Sequence, residues 1–179
     1  MRFREAISYI SNEAKRIVEE VDDEKIEKMI KYFFDAKNIF VYGAGRSGLV
    51  GKAFAIRLVH LGFPTFVIGE TITVPVKKGD LVVLISGSGE TIPVAMTAEI
   101  ARRLGAKIIS ITANPESHIA RFGDIVVVLK EKEKNKELAP LGTIFEASAW
   151  IFLDALVAEI MARKGEDEES MKRRHATLE

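Results

Sequence analysis

The chain has no cysteine in its 179 residues, so it forms no disulfide and no thiolate metal site. That same absence leaves its redox compartment open. It also lacks an excess of either charge. Its 26 Lys and Arg balance 26 Asp and Glu, which gives no basic field for nucleic acid or an anionic membrane. Histidine is scarce: His60, His118 and His175 share no metal-ligand spacing, so no metal site is expected. The longest apolar runs are of strand length, far short of a membrane span. The start, Met1-Arg-Phe-Arg-Glu5, has no long apolar core of the signal-peptide kind. A soluble cytoplasmic protein is the default reading. The length suits one domain, 1–179, with a substantial core.

What is present is a rhythm. Phe3, Ala6, Ile7, Ile10, Ala14, Ile17 and Val18 recur at helical spacing, and Ile26, Met29, Ile30, Phe33 and Phe34 do the same. They predict two leading helices over about 2–36. From Asn38 the pattern becomes strand, loop, helix. Apolar strands are expected at 39–42, 64–68, 81–85, 107–112 and 125–129. Helices are expected at 49–61, 91–104, 117–121 and 143–163, and a charged helical tail at 166–179. Five apolar strands separated by helices imply an α/β protein with a parallel sheet covered on both faces, a three-layer sandwich. Ligands in such sheets bind at the carboxyl ends of the strands, where strand order reverses. The helix from Thr143 is apolar nearly all round, from Ile144 and Phe145 through Trp150 to Ile160. A small domain rarely buries such a helix alone, so subunit contacts are expected.

Two glycine-rich loops follow strands. Gly43-Ala-Gly45-Arg46-Ser47-Gly48 fits the dinucleotide pattern G-x-G-x-x-G, with Glu70 roughly where a ribose-binding acid would stand. It is not a P-loop, because Lys52 comes too late and Ala53 follows it. Taken alone, this loop is compatible with a dinucleotide, a sugar phosphate or a tight turn. The second loop is Ser86-Gly87-Ser88-Gly89-Glu90-Thr91, after the run 81–85. Its glycines let the backbone approach an anion, and the next helix offers free N–H groups and a positive dipole end. The hydroxyls of Ser86, Ser88 and Thr91 add donors. Helix capping by Ser88 and Thr91 is the plain alternative. The loop has no lysine, which suits a stable monophosphate. With no chain left for a second domain, sugar phosphate becomes the favoured ligand.

Glu146 stands at the mouth of the apolar helix in Pro140-Leu-Gly-Thr143-Ile-Phe-Glu146. Thr143 and Glu146 have capping-box spacing. A carboxylate partly stripped of water is also a suitable general base. His60 ends a helix, where histidine commonly serves the dipole. His118 falls in a polar turn and is given no role.

Together the two loops, the segment 70–75, the stretch 57–63, the stretch 140–146 and His175 resemble the sugar isomerase (SIS) domain family, over essentially the whole chain. Within it they are similar to the 6-phospho-3-hexuloisomerase branch. The resemblance implies a five-stranded flavodoxin-like sheet and a homotetramer. It implies conversion of 3-hexulose 6-phosphate to fructose 6-phosphate without a cofactor. It also implies a link to hexulose-phosphate synthase in the ribulose monophosphate pathway, which fixes formaldehyde. Carried over, Ser47, Ser86, Ser88 and Thr91 hold substrate and phosphate, with Arg46, Gly87, Gly89 and Glu70 as neighbouring binding candidates. Glu146 matches the base. His175, or His60, assists, and His175 is expected from the same or a neighbouring subunit. Ile72 and Val74 replace smaller polar residues near Glu70, which argues against sugar contact by those two. The rival readings are a non-catalytic sugar-phosphate sensor and an NAD(P)-binding module.

Overall fold

The computed structural model describes residues 1–178. Two helices, α1 (Arg2–Glu19) and α2 (Asp23–Asp35), precede the alternating part. That part runs β1 (Ile39–Gly43), α3 (Gly45–His60), β2 (Thr65–Val67), β3 (Leu81–Ile85), α4 (Ile92–Arg103), β4 (Lys107–Thr112), α5 (His118–Phe122) and β5 (Ile125–Val128). The long α6 (Thr143–Lys164) and the short α7 (Glu168–Lys172) follow. Local chemistry sets several boundaries. The Asp22 carboxylate accepts the Glu24 N–H at 2.8 Å and opens α2. Gly165, at φ +67°, closes α6 in the left-handed region.

The five strands form one parallel sheet in the order β2-β1-β3-β4-β5. β3 is central and wholly buried, as its continuous apolar run demands. Side chains alternate across the sheet. Ile39, Val41, Leu81, Val83 and Ile85 face one core, with Phe33 of α2, Leu58 of α3 and Phe152 of α6. Phe40, Val82, Leu84 and Ile108 face the other, with Val94 and Ala98 of α4 and Ile119 of α5. Three layers result.

Three details differ from the sequence reading. α3 begins at Gly45 rather than at 49, so the glycine motif is itself the first turn of the helix. β2 spans three residues, as an edge strand paired only to β1. The all-round apolar character of α6 divides into two surfaces. One is buried, through Phe145, Phe152, Leu156 and Ile160. The other leaves Trp150 and Ile151 nearly half exposed; on the neighbouring α3, Leu49 and Ile56 are more than half exposed.

Candidate active site

The strand order reverses between β1 and β3, and both glycine loops leave the sheet there. Gly43 pairs in register with Ile85, so the loops start side by side. Close packing requires the glycines. A Cβ on Gly43 would lie 2.9 Å from the Ile85 carbonyl, and one on Gly48 would lie 2.5 Å from the Gly43 carbonyl. The helix therefore rides directly on the strand, with its first turn open at the crevice.

The second loop holds its own shape. Ser86 is buried; its Oγ accepts the Gly89 N–H at 3.1 Å and pairs with Thr91 Oγ1 at 3.2 Å. Ser88 Oγ accepts the Glu90 N–H at 3.2 Å. Thr91 is the N-cap residue of α4, yet its hydroxyl makes no capping bond. The plain capping alternative for Thr91 therefore fails. The N–H groups of Gly87, Ser88 and Thr91 find no acceptor among the described residues. Uncommitted N–H groups in a turn that opens a helix make a concave anion site.

The start of α6 closes onto this loop. Phe145 packs on Gly87, where a Cβ would meet its ring at 3.1 Å. The next residue is Glu146, whose side chain is only 13% exposed and is bound by the Arg46 guanidinium through Nε. The capping box is absent. Gly142 is the N-cap, and Thr143 Oγ1 donates to the Pro140 carbonyl at 2.6 Å. Glu146 thus pairs with Arg46, and its carboxylate lies over Gly142 without making a capping bond. Leu141, just before this turn, holds φ +55°, an uncommon conformation for a bulky side chain. A hollow of about 330 Å³ lies between α3 and α6, lined by Arg46, Leu49, Val50, Thr143, Glu146 and Trp150. Two larger hollows, of about 380 and 650 Å³, lie along the leading helices and touch neither glycine loop.

The remaining candidates divide by position. Glu70 is engaged by Lys52 at 2.6 Å, beside a hollow of about 200 Å³ that Gly43 and Gly48 also line. Ile72 and Val74 are exposed in the following loop. His60 and His175 stack, with ring centroids 4.9 Å apart. They lie at the far end of α3. His60 is fourteen residues beyond Arg46 on that helix, a rise of about 21 Å. One chain therefore does not bring the histidines to Glu146. Among the described residues no group of three or more His, Asp or Glu could hold a metal ion.

Residues 32–156 match the SIS domain. The chain belongs to the SIS domain family. A Bacillus subtilis protein named 3-hexulose-6-phosphate isomerase is 36% identical over 185 residues, with both chains covered in full. A Methanocaldococcus jannaschii protein of the same name is 44% identical over 154 residues, covering 86% of this chain and 84% of its own. A solved Methanococcus jannaschii structure, described as implying a 3-hexulose-6-phosphate isomerase function, superposes with a TM-score of 0.91 at 40% identity. That likeness covers 98% of this chain and 99% of that one. The SIS match contains both glycine loops, Glu70 and Glu146, whereas α1 and His175 lie outside it. Sequence reasoning passed over Lys52 as a partner for Glu70 and Phe145 as a wall of the loop. Lys52 carried a signal, since it stands one helical turn after Gly48. Phe145 carried none beyond its neighbour.

Proposed function

We propose that this SIS protein isomerises 3-hexulose 6-phosphate to fructose 6-phosphate through a cis-enediolate. One observation carries the reading: Phe145 fixes the first turn of α6 on the loop with free N–H groups, and the adjacent Glu146, bound by Arg46 of the first glycine loop, lines the hollow between α3 and α6. The relatives named 3-hexulose-6-phosphate isomerase, matched over most or all of the chain, support it.

The chemistry follows from the substrate. Moving the carbonyl from C3 to C2 removes a proton from C2 and returns one to C3. The hydroxyl proton passes from O2 to O3. No electrons leave the sugar, so enolisation needs no redox group. In this reading the loop 86–91 and Ser47 hold the phosphate and orient the ketose, where remote binding energy serves catalysis best. Glu146 takes the proton and returns it on one face. Arg46 holds that carboxylate at the mouth of the hollow and offers N–H donors to a substrate oxygen.

The same reading assigns His175, or His60, to the hydroxyl-proton transfer, with the pair entering the site of a neighbouring subunit. The apolar strip of Leu49, Ile56, Trp150 and Ile151 is the surface a neighbour covers in a homotetramer. The chain 1–179 acts as one SIS domain. Its reaction follows hexulose-phosphate synthase in the ribulose monophosphate pathway, in the cytoplasm, where formaldehyde is fixed.

General-base catalysis contributes about 10²–10⁴-fold. Glu146→Gln is expected to lose at least about 10²-fold in kcat while still binding fructose 6-phosphate. Full activity in that variant would remove Glu146 from the chemistry. Wild-type protein that binds fructose 6-phosphate without turnover would leave only a sugar-phosphate binder.

A further inference from the structure

The loop after β3 carries a carboxylate, Glu90, immediately before Thr91. Beside a bound phosphate a like charge is repelled, so ligand contact by Glu90 is unfavourable. Its side chain does something else. Glu90 Oε1 accepts the backbone N–H of His118 at 2.9 Å. The next N–H, that of Ile119, donates to the Gly89 carbonyl at 3.2 Å. Ser117 presses on the loop from the same segment. Its hydroxyl is buried with no hydrogen-bond partner among the described residues, and a Cβ on Gly89 would lie 2.1 Å from it. The His118 ring joins Glu99 of α4 at 2.7 Å, which fixes the gripping segment to the helix the loop feeds.

Two consecutive loop residues are therefore clamped by two consecutive N–H groups. The clamp spends Glu90 and the Gly89 carbonyl and leaves the N–H groups of Gly87, Ser88 and Thr91 uncommitted. We propose that Glu90 is a positioning residue: its carboxylate, anchored on the His118 N–H, holds the phosphate loop in its binding shape. This rests on the phosphate reading given above. The role needs an acceptor at this point, not a charge. A glutamine keeps the acceptor and removes the repulsion toward phosphate; an alanine loses both.

The test compares steady-state kinetics for the phosphorylated ketose, and binding of inorganic phosphate, in wild type, Glu90→Gln, Glu90→Ala and Ser88→Ala. Glu90→Ala is expected to raise KM about tenfold, with a smaller change in kcat, as loss of the hydrogen bond to the His118 N–H implies. Phosphate binding should weaken in parallel. Glu90→Gln should keep KM at or below the wild-type value. An unchanged KM in Glu90→Ala, or equal effects in the two Glu90 variants, would overturn the proposal. Ser88→Ala separates the two levels. If its KM rises while that of Glu90→Ala does not, only the role of Glu90 fails. If its KM stays unchanged, the phosphate reading itself fails.

Discussion

Gly45 and Gly89 both hold positive φ, at +55° and +68°, yet they tolerate a side chain differently. Nothing lies within 4 Å of a Cβ on Gly45, so alanine there meets only backbone strain, about 1 kcal/mol. At Gly89 a Cβ would overlap Ser117 Oγ at 2.1 Å and Thr112 Oγ1 at 2.9 Å. Overpacking adds to strain there, for a cost of about 3 kcal/mol or more. In a chain of this length about 1 kcal/mol shifts Tm by roughly 2–4 °C. Gly89→Ala should thus lower Tm by roughly three times as much as Gly45→Ala in calorimetry. Equal shifts would mean that Ser117 yields freely. At this scale the sequence was legible where a residue's role is local. The open N–H groups of the serine loop follow from its own glycines and hydroxyls. The partner of Glu146 was not legible, because Arg46 is 100 residues away and the local pattern with Thr143 offered a false explanation.

Elements were legible where burial is continuous. β3 and β4 have the bounds expected for them, 81–85 and 107–112, because both strands lie inside the sheet. The start of α3 was hidden by glycine, which disfavours helices until close packing on β1 requires it. Arg174 ties the tail beyond α6 to the end of α3. Arg174 forks onto Glu166 through two bonds of 2.9 Å and donates to the His60 carbonyl at 3.0 Å. Ser170 adds a further bond to Glu166. These donors, Arg174 first, lower the Glu166 carboxyl from 4.5 to about 2. A depressed carboxyl stabilises the fold above its unfolded value and loses that contribution as pH falls toward the folded one. The tail should therefore stay docked above about pH 4.5 and loosen between there and about pH 2. Hydrogen exchange of residues 166–178 reads this directly. Arg174→Ala should loosen the tail at every pH. Unchanged protection in that variant would show that the fork does not hold the tail.

At the scale of the molecule, the parallel sheet was legible from five apolar strands alternating with helices, and ligands gather where its strand order reverses. What one chain cannot supply is equally plain. Its histidine pair lies at the end of α3, about 21 Å along that helix from Arg46, the partner of Glu146, and Leu49, Ile56, Trp150 and Ile151 lie exposed on α3 and α6. If that strip is the subunit contact, Trp150→Glu should shift the protein to smaller species in analytical ultracentrifugation. Far-ultraviolet circular dichroism should be kept, and kcat should fall with assembly. Unaltered assembly would move the contact elsewhere. The measurement that tests the account most directly is a crystal structure with fructose 6-phosphate bound. The account predicts the phosphate against Ser86, Ser88 and Thr91 and the free N–H groups of the loop, with C2 and C3 of the sugar beside Glu146. A phosphate lodged elsewhere, or a sugar turned away from Glu146, would contradict it.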